Sequence, residues 1–154
     1  MLAKVLSGAN IGLDGVPVIV EVDIASQGLP SFTIVGLADR AIEESKERIR
    51  SALRNSNADF PPKRITVNLA PADLPKKGPI FDLPIALGLL AGSGQISADL
   101  SDTLCLGELS LDGGLRYSNG ILSLSILAKK LGIKRVFVPK SKAKEAAIVE
   151  GLEV

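Results

Sequence analysis

Apolar residues are most concentrated between Leu83 and Ala91, a stretch in which no side chain is polar. Asp82 stands immediately before it as a favourable N-cap residue, and Pro84 falls in what would be the first helical turn, where its missing N–H is not needed. The pattern predicts a helix that is apolar on all sides and is therefore buried in the centre of the fold. The stretch is shorter than the ~20 apolar residues that are needed to cross a bilayer.

The loop before this helix is the first candidate site. It carries Lys76 and Lys77 between Pro75 and Pro79, and Gly78 gives the backbone local freedom. In an enzyme, a loop of this kind at the start of a buried helix is a natural place for a nucleophile or for a bound anion.

Alternation of apolar and polar residues predicts three strands at the start of the chain, at residues 2–9, 16–24 and 31–35. Turns at residues 12–15 and 28–30 separate them. We expect these strands to pair in sequence order as one antiparallel layer.

Helical periodicity replaces alternation at residues 39–54. One side of this predicted helix is apolar and includes Ile42 and Ile49, while the other side is charged, with Glu44 and Arg48 spaced for an i,i+4 ion pair. We interpret the charged side as a solvated surface, and a partner-binding surface is the alternative.

The second half of the chain continues with strands and helices in mixed order. Asp112–Gly114 has the composition of a hairpin turn, and Cys105 lies in one strand of that hairpin as a small core residue. A later helix has an apolar stripe formed by Leu122, Ile126 and Leu127. The predicted elements are a strand at 64–70, hairpin strands at 103–111 and 115–117, a helix at 120–131, a strand at 135–139 and a helix at 141–150.

This order of elements predicts an α/β (α+β) fold with one mixed sheet and helices packed on it. Residues 1–154 are interpreted as a single domain. The segment Leu152–Val154 resembles the beginning of another strand, so we expect the chain to be part of a longer protein.

Composition limits the chemistry that is available. The chain has no histidine and one cysteine, which excludes disulfide bonds, Cys/His zinc sites and histidine as a general base. The formal net charge of +1 provides no strong attraction of the whole molecule to nucleic acid or to a membrane. No signal-peptide pattern follows Met1, so we expect a cytoplasmic protein with no membrane partner.

Two types of catalytic site can be tested against the sequence. A P-loop is absent, because no glycine is followed by lysine. Without histidine, nucleophilic catalysis would need a Ser–Lys dyad, in which a desolvated lysine serves as the base. The serines that could act in this way are Ser118 and Ser123, and the lysines are Lys76, Lys77 and Lys129.

Several segments resemble the proteolytic domain of the Lon protease family. They are Pro75-Lys-Lys-Gly-Pro-Ile-Phe-Asp, Leu106-Gly-Glu-Leu-Ser-Leu-Asp-Gly-Gly-Leu and Asn119-Gly-Ile-Leu. In that family a serine follows Gly-Pro, and a lysine ends a Gly-Gly-Leu-Lys motif. Matched residue by residue, Ile80 stands at the serine position and Leu122 at the lysine position, so the resemblance implies a Lon-like domain without the dyad.

Longer segments are similar to the N-terminal, ChlI-type Lon-like domain of the magnesium-chelatase-like AAA+ ATPases, the ComM and YifB family. They are Gly36-Leu-Ala-Asp-Arg-Ala-Ile-Glu-Glu-Ser, Ile65-Thr-Val-Asn-Leu-Ala-Pro-Ala-Asp-Leu-Pro-Lys and Phe81-Asp-Leu-Pro-Ile-Ala-Leu-Gly. This resemblance implies a fold of the ribosomal protein S5 domain 2 type, a C-terminal AAA+ domain, a homo-oligomer (a hexamer for the full-length protein) and action on DNA in recombination. ATP and Mg²⁺ would bind in that ATPase domain, and no cofactor is expected in this chain.

The last candidate is a basic segment, residues 129–144, which contains no acidic residue. Its cations are spread over two predicted helices and a strand and could follow the phosphates of DNA. An ordinary solvated surface is the alternative. The basic residues are Lys129, Lys130, Lys134, Arg135, Lys140, Lys142 and Lys144.

Together these observations predict a non-catalytic Lon-like domain of an AAA+ ATPase that supports hexamer assembly, DNA contact or both. The alternatives are an active Ser–Lys peptidase of the Lon type and a module that only oligomerises.

Overall fold

The computed structural model describes all residues from Met1 to Val154 and contains eight strands and four α-helices. In chain order the elements are β1 (Leu2–Ile11), β2 (Asp14–Ala25), β3 (Ser31–Val35), α1 (Arg40–Asn55), β4 (Arg64–Ala70), α2 (Asp82–Gly92), β5 (Thr103–Cys105), β6 (Glu108–Leu109), β7 (Leu115–Arg116), α3 (Ile121–Lys130), β8 (Arg135–Phe137) and α4 (Ala143–Ala146). Short 3-10 turns precede α2 and α4, at Pro79–Phe81 and Lys140–Lys142.

Six strands form one mixed sheet in the order β3-β4-β2-β1-β5-β8. Strands β1 and β2 make a long antiparallel hairpin, β4 pairs antiparallel with β2, and the remaining pairs in the sheet are parallel. The small strands β6 and β7 form a separate antiparallel pair. The predicted class, a mixed α/β fold with helices on one sheet, is confirmed.

The predicted order of the first strands is wrong in one respect. Strand β3 does not continue an antiparallel layer after β2, because β4 lies between them and pairs parallel with β3. Parallel neighbours need a crossover connection, and α1 supplies it between β3 and β4.

Two hydrophobic cores lie on opposite faces of the sheet. Consecutive residues of the same strand belong to different cores: Leu104 of β5 joins the smaller core, whereas the next residue, Cys105, joins the larger one. Helices α1 and α2 contribute to the larger core, and α3 to the smaller one. No helix in the molecule is long and apolar enough to span a bilayer.

Several predicted boundaries shift for identifiable reasons. The strand predicted at 103–111 divides at Gly107, whose φ of +151° turns the chain out of the sheet and into β6. The helix predicted at 141–150 has regular α-helical geometry only over Ala143–Ala146. After it, Val149 donates to the carbonyl of Ala146 in a tighter turn, and the chain returns to pair Glu153 with Arg135.

The predicted apolar stripe of α3 is confirmed at Leu127 and wrong at its other two positions. The buried positions are Ile121, Leu124 and Leu127, whereas Ile126 is exposed and Leu122 only partly covered. The helix is apolar on both sides, so periodicity alone did not distinguish the side that packs on the sheet.

Candidate functional site

A cleft of about 580 Å³ opens beside the end of β1. One wall is the loop between β4 and α2, including Lys77, Pro79 and Ile80, and the other parts are Glu108, the segment Tyr117–Asn119 and Leu124 of α3. Its floor is formed by five consecutive residues, Gly8, Ala9, Asn10, Ile11 and Gly12. We refer to this feature as the β1 cleft.

The loop of the β1 cleft is held by the junction between β3 and α1. The backbone N–H of Lys76 donates to the carbonyl of Leu37 at 3.0 Å, and the N–H of Asp39 donates to the carbonyl of Lys76 at 3.2 Å. The Asp39 carboxylate caps α1 at the N–H of Ile42 and also accepts from the N–H of Gly78, both at 3.0 Å. A single N-cap residue therefore fixes the helix start and the cleft wall together.

Lys76 is fully buried and lies outside the cleft lining. Its ammonium group donates to the backbone carbonyls of Gly36, at 2.7 Å, and Pro71. Burial lowers the pKa of Lys76, and the charge of Asp73 opposes that effect. This lysine ties the loop to the end of β3.

Of the serines and lysines that sequence reasoning considered, Ser118 and Lys77 both line the β1 cleft. The hydroxyl of Ser118 donates to the carbonyl of Arg116, at 3.5 Å, and no hydrogen bond joins it to a lysine. Ser123 donates to Asn10 Oδ1 at 2.6 Å, and Lys129 donates to the carbonyl of Glu150.

The two positions that match the Lon dyad lie apart. Ile80 is in the 3-10 turn before α2, lines the β1 cleft and packs against the smaller core. Leu122 instead lies in a second surface pocket, of about 540 Å³, together with Ile126, Ile148 and Val149. We call Leu122, Ile126, Ile148 and Val149 the outer α3 surface.

The sequence predicted that Asp82 would cap α2. Asp82 instead lies within the first turn of this helix and is fully buried. Its carboxylate accepts hydrogen bonds from Arg48 Nε at 2.7 Å and Nη2 at 3.2 Å, and from the N–H of Leu109 at 3.1 Å. The bond to Asp82 raises the pKa of Arg48 against the effect of its burial. The contact joins α1, α2 and β6.

Sequence reasoning missed this ion pair and assigned Arg48 to a pair with Glu44. In the structure Glu44 pairs with Arg40 instead, at 3.7 Å. The available signal was the lone carboxylate at the start of an otherwise apolar helix, because a charge that is buried needs a partner.

The basic segment is partly neutralised by acids that lie outside it. Lys134 pairs with Asp102 at 3.7 Å, and Arg135 pairs with Glu153 at 3.2 Å. Lys142 pairs with Glu145 at 3.0 Å and also lies over the ring of Tyr117. The cations that are exposed and have no ion pair are Lys129, which donates to the carbonyl of Glu150, and Lys130, Lys140 and Lys144.

Other reactive groups are few. Cys105 is buried, and burial raises the pKa of its thiol to about 12, so it is a poor nucleophile at neutral pH. The structure contains no group of three or more metal-ligating side chains.

The fold, with its cleft beside β1 and its apolar helix α2, is that of a mixed α/β domain of the Lon-like class. The family described as subunit ChlI of Mg-chelatase matches residues 20–142, and the chain belongs to this family. The family resemblance that the sequence indicated is confirmed.

Individual relatives agree with this assignment. The chain is 46% identical over 149 residues to competence protein ComM of Haemophilus influenzae and 44% identical over 151 residues to protein YifB of Escherichia coli. These matches cover 96% and 97% of this chain but 29% of each relative, so the chain spans less than a third of their length. The chain is also distantly similar to a Lon protease of Mycoplasmopsis agalactiae, with 26% identity over 143 residues. This match covers 88% of the chain and 14% of that relative.

Proposed function

We propose that this chain is a non-catalytic N-terminal module of a ComM- and YifB-like AAA+ ATPase and that it holds copies of the protein together. The observation that carries the proposal is the outer α3 surface. Ile126 and Ile148 are 41% and 68% exposed there and adjoin Leu122 and Val149. Contiguous exposed apolar side chains are typical of protein–protein contacts.

The occupant we assign to this surface is a second copy of the chain. A ring of identical subunits, such as the hexamer that the family resemblance implies, requires each copy to place one surface on a different surface of its neighbour. Lys129 and Lys130 border the apolar residues and provide a charged rim.

Sedimentation velocity over a range of concentrations tests the assembly role. We expect the chain to associate as concentration rises and Ile126→Asp to remain monomeric. Leu111→Asp is the matched control, because Leu111 is 54% exposed and lies away from the outer α3 surface. Equal association of all three proteins, or none by the unmodified chain at high concentration, would contradict the proposal.

The non-catalytic part of the proposal rests on the β1 cleft. Ile80 stands in it at the position that matches the Lon serine, and no serine hydroxyl in it is bonded to a lysine. We expect no cleavage of casein and no ATP hydrolysis by the purified chain. Peptidase activity that Ser118→Ala abolishes would instead support the alternative, a Ser–Lys peptidase using Ser118 and Lys77.

DNA contact is a second candidate function and is supported by the unpaired lysines of the basic segment. Changing Lys130, Lys140 and Lys144 to Glu should weaken binding to DNA at low salt, independently of sequence, because such contacts would be to phosphates. The charge-matched control reverses Arg40, Lys46 and Arg54 on α1. Equal loss in both variants would indicate diffuse charge attraction, and no binding by the unmodified chain would exclude this role and leave assembly alone.

A further inference from the structure

Strand β1 extends well beyond the strand that accompanies it. It has ten residues, but its parallel partner β5 has three and meets it at one position, Leu6 opposite Leu104. Past this point β5 leaves the sheet at Gly107, and the segment Gly8–Ile11 has no neighbouring strand on that side. The end of β1 is therefore an open sheet edge inside the fold.

The register of the β1–β2 hairpin determines which backbone groups face this edge. Met1 and Ile24 bond to each other through both N–H and C=O groups. Hydrogen-bonded and non-hydrogen-bonded pairs alternate along an antiparallel ladder. The backbone N–H and C=O groups of the odd-numbered residues of β1 therefore bond to β2, and those of the even-numbered residues point away from β2. Leu6 accordingly meets β5, and the N–H and C=O groups of Gly8 and Asn10 face the same side.

Gly8 is buried and Asn10 is exposed, and both residues line the β1 cleft. Side chains on a strand alternate between the two faces of the sheet, yet the consecutive residues Gly8 to Gly12 all line the cleft. The cleft therefore follows the edge of the strand and not one of its faces. No backbone hydrogen bond outside the regular elements involves residues 8–12.

The edge also lacks the features that normally protect an open strand. Proteins block such edges with lysine, proline or a covering element, but the sequence here is Gly8-Ala-Asn-Ile11. The side chain of Asn10 is directed away to Ser123, whose hydroxyl donates to it. The opposite wall includes Pro75 and Pro79, which have no backbone N–H to offer.

We infer that the β1 cleft binds an extended segment of polypeptide, which adds to the sheet as a strand beside Gly8–Ile11. The free edge offers donors and acceptors in alternation, and a peptide backbone supplies both in return. A phosphodiester backbone has no donors for the carbonyls of Gly8 and Asn10, so it would leave these two groups unpaired, whereas a peptide backbone pairs them. The span of four residues is about 13 Å long.

The walls indicate which side chains the segment carries. Alternate residues of an added strand would point toward Pro79, Ile80 and Leu124, so we assign apolar side chains to every second position. Lys77 and Glu108 stand on the same cleft and can contact charged residues that flank the segment.

Nuclear magnetic resonance of the whole chain tests this inference with a capped heptapeptide that alternates threonine and valine between terminal lysines. We expect the amide signals of Gly8 and Asn10 to shift on titration and their hydrogen exchange to slow, while amides of the other open edge, β3, do not respond. The same peptide with N-methylated valines lacks the valine N–H donors. It should neither shift the amide signals of Gly8 and Asn10 nor slow their hydrogen exchange.

Two variants at one position separate backbone from side chain. Both Asn10→Ala and Asn10→Pro remove the contact with Ser123, but only proline removes the outward N–H, which a strand tolerates at an edge. Peptide affinity of Asn10→Pro should be about fivefold lower than that of Asn10→Ala, the effect of one hydrogen bond. Thermal unfolding of both variants checks that they are folded.

Three results would overturn the inference. The first is an absence of shifts at Gly8 and Asn10 with millimolar peptide, and the second is an equal response to the N-methylated peptide. The third is protection of both amides in the free chain that disappears on dilution, which would assign the edge to a second copy of the chain. None of these outcomes depends on whether Ile126→Asp prevents assembly, so this inference and the proposed function fail separately.

Discussion

Helices α2 and α3 are both rich in apolar residues but lie in different surroundings. Helix α2 lies on the face of the sheet that α1 also covers, and it packs so closely that a Cβ on Gly88 would lie 2.5 Å from Val22 Cγ2. Helix α3 lies on the opposite face, where the short helix α4 joins it through Ala146, and it leaves Ile126 exposed. The difference shows that apolar residues on α2 stabilise the monomer, whereas those on the outside of α3 are available to a partner.

Their charged residues differ in the same way. The one charge on α2, Asp82, is buried and satisfied by Arg48 and by the N–H of Leu109. The charges on α3, Lys129 and Lys130, are at its C-terminal end, where cations are favourable, and are exposed. Substitutions on the two helices should therefore have effects of very different size.

The largest expected effect is at the buried ion pair. Asp82→Ala would leave the guanidinium of Arg48 without its carboxylate, and we expect a loss of about 3–5 kcal/mol in the free energy of unfolding. Urea denaturation measures it. Adding Arg48→Met to the same variant should recover part of the loss, and a loss below about 1 kcal/mol for Asp82→Ala alone would mean that the pair is not satisfied as described.

A cavity in the larger core should have the next largest effect. Leu89 is fully buried on α2, so Leu89→Ala should cost about 2–5 kcal/mol. Leu87, at the middle of the helix, is a weaker test because it is only partly buried. Equal destabilisation by Ile126→Ala, in chemical denaturation of the monomer, would contradict the difference between the two helices.

A pH-dependent effect is expected at Lys76. Because its pKa is lowered in the folded chain from the ordinary 10.5, the unfolded chain binds more protons between the lowered pKa and pH 10.5. The contribution of Lys76 to stability should therefore become more favourable as pH rises through that window.

Urea denaturation at neutral pH and near pH 10 measures this contribution as the difference between the unmodified chain and Lys76→Met. Lys77→Met, at the neighbouring exposed position, removes the same charge and controls for titration elsewhere in the chain. A fall in the stability of the unmodified chain relative to Lys76→Met as pH rises would have the wrong sign for a buried lysine.

The smallest effect belongs to the exposed side of α1. Glu47 is solvent-exposed and forms only a surface ion pair with Arg50, at 3.6 Å. Glu47→Ala should change stability by about 0.5 kcal/mol or less. A larger change would show that the charged side of α1 is not merely solvated.

Local patterns were sufficient to predict much of the fold. Strand β4 was predicted at the bounds observed, and helix α1 within one residue at each end, because alternation in one and helical periodicity in the other are local signals. Strand order is not local, since the position of β4 between β2 and β3 depends on pairing between residues far apart in sequence. The packing side of α3 was missed since both sides of that helix are apolar.

At the candidate site, too, local signals were predicted from the sequence, whereas contacts between distant residues were not. The sequence indicated the loop at Lys76 and Lys77, but it did not distinguish a buried lysine that binds carbonyls from an exposed one that lines a cleft. It placed Arg48 on a solvated face, because an ion pair between helices leaves no mark in periodicity. Ile80 and Leu122 were chosen from matched motifs, and the structure puts them in different pockets.

The central claim, that the outer α3 surface is covered by a second copy of the chain, can be measured directly by cysteine labelling. Cys105 is buried with a raised pKa and should react slowly, so an introduced cysteine dominates the signal. In Ile126→Cys, the rate of maleimide labelling should fall as protein concentration rises, whereas in Leu111→Cys, at an exposed position outside that surface, it should stay constant. Labelling of Ile126→Cys that is fast and independent of concentration would contradict the account.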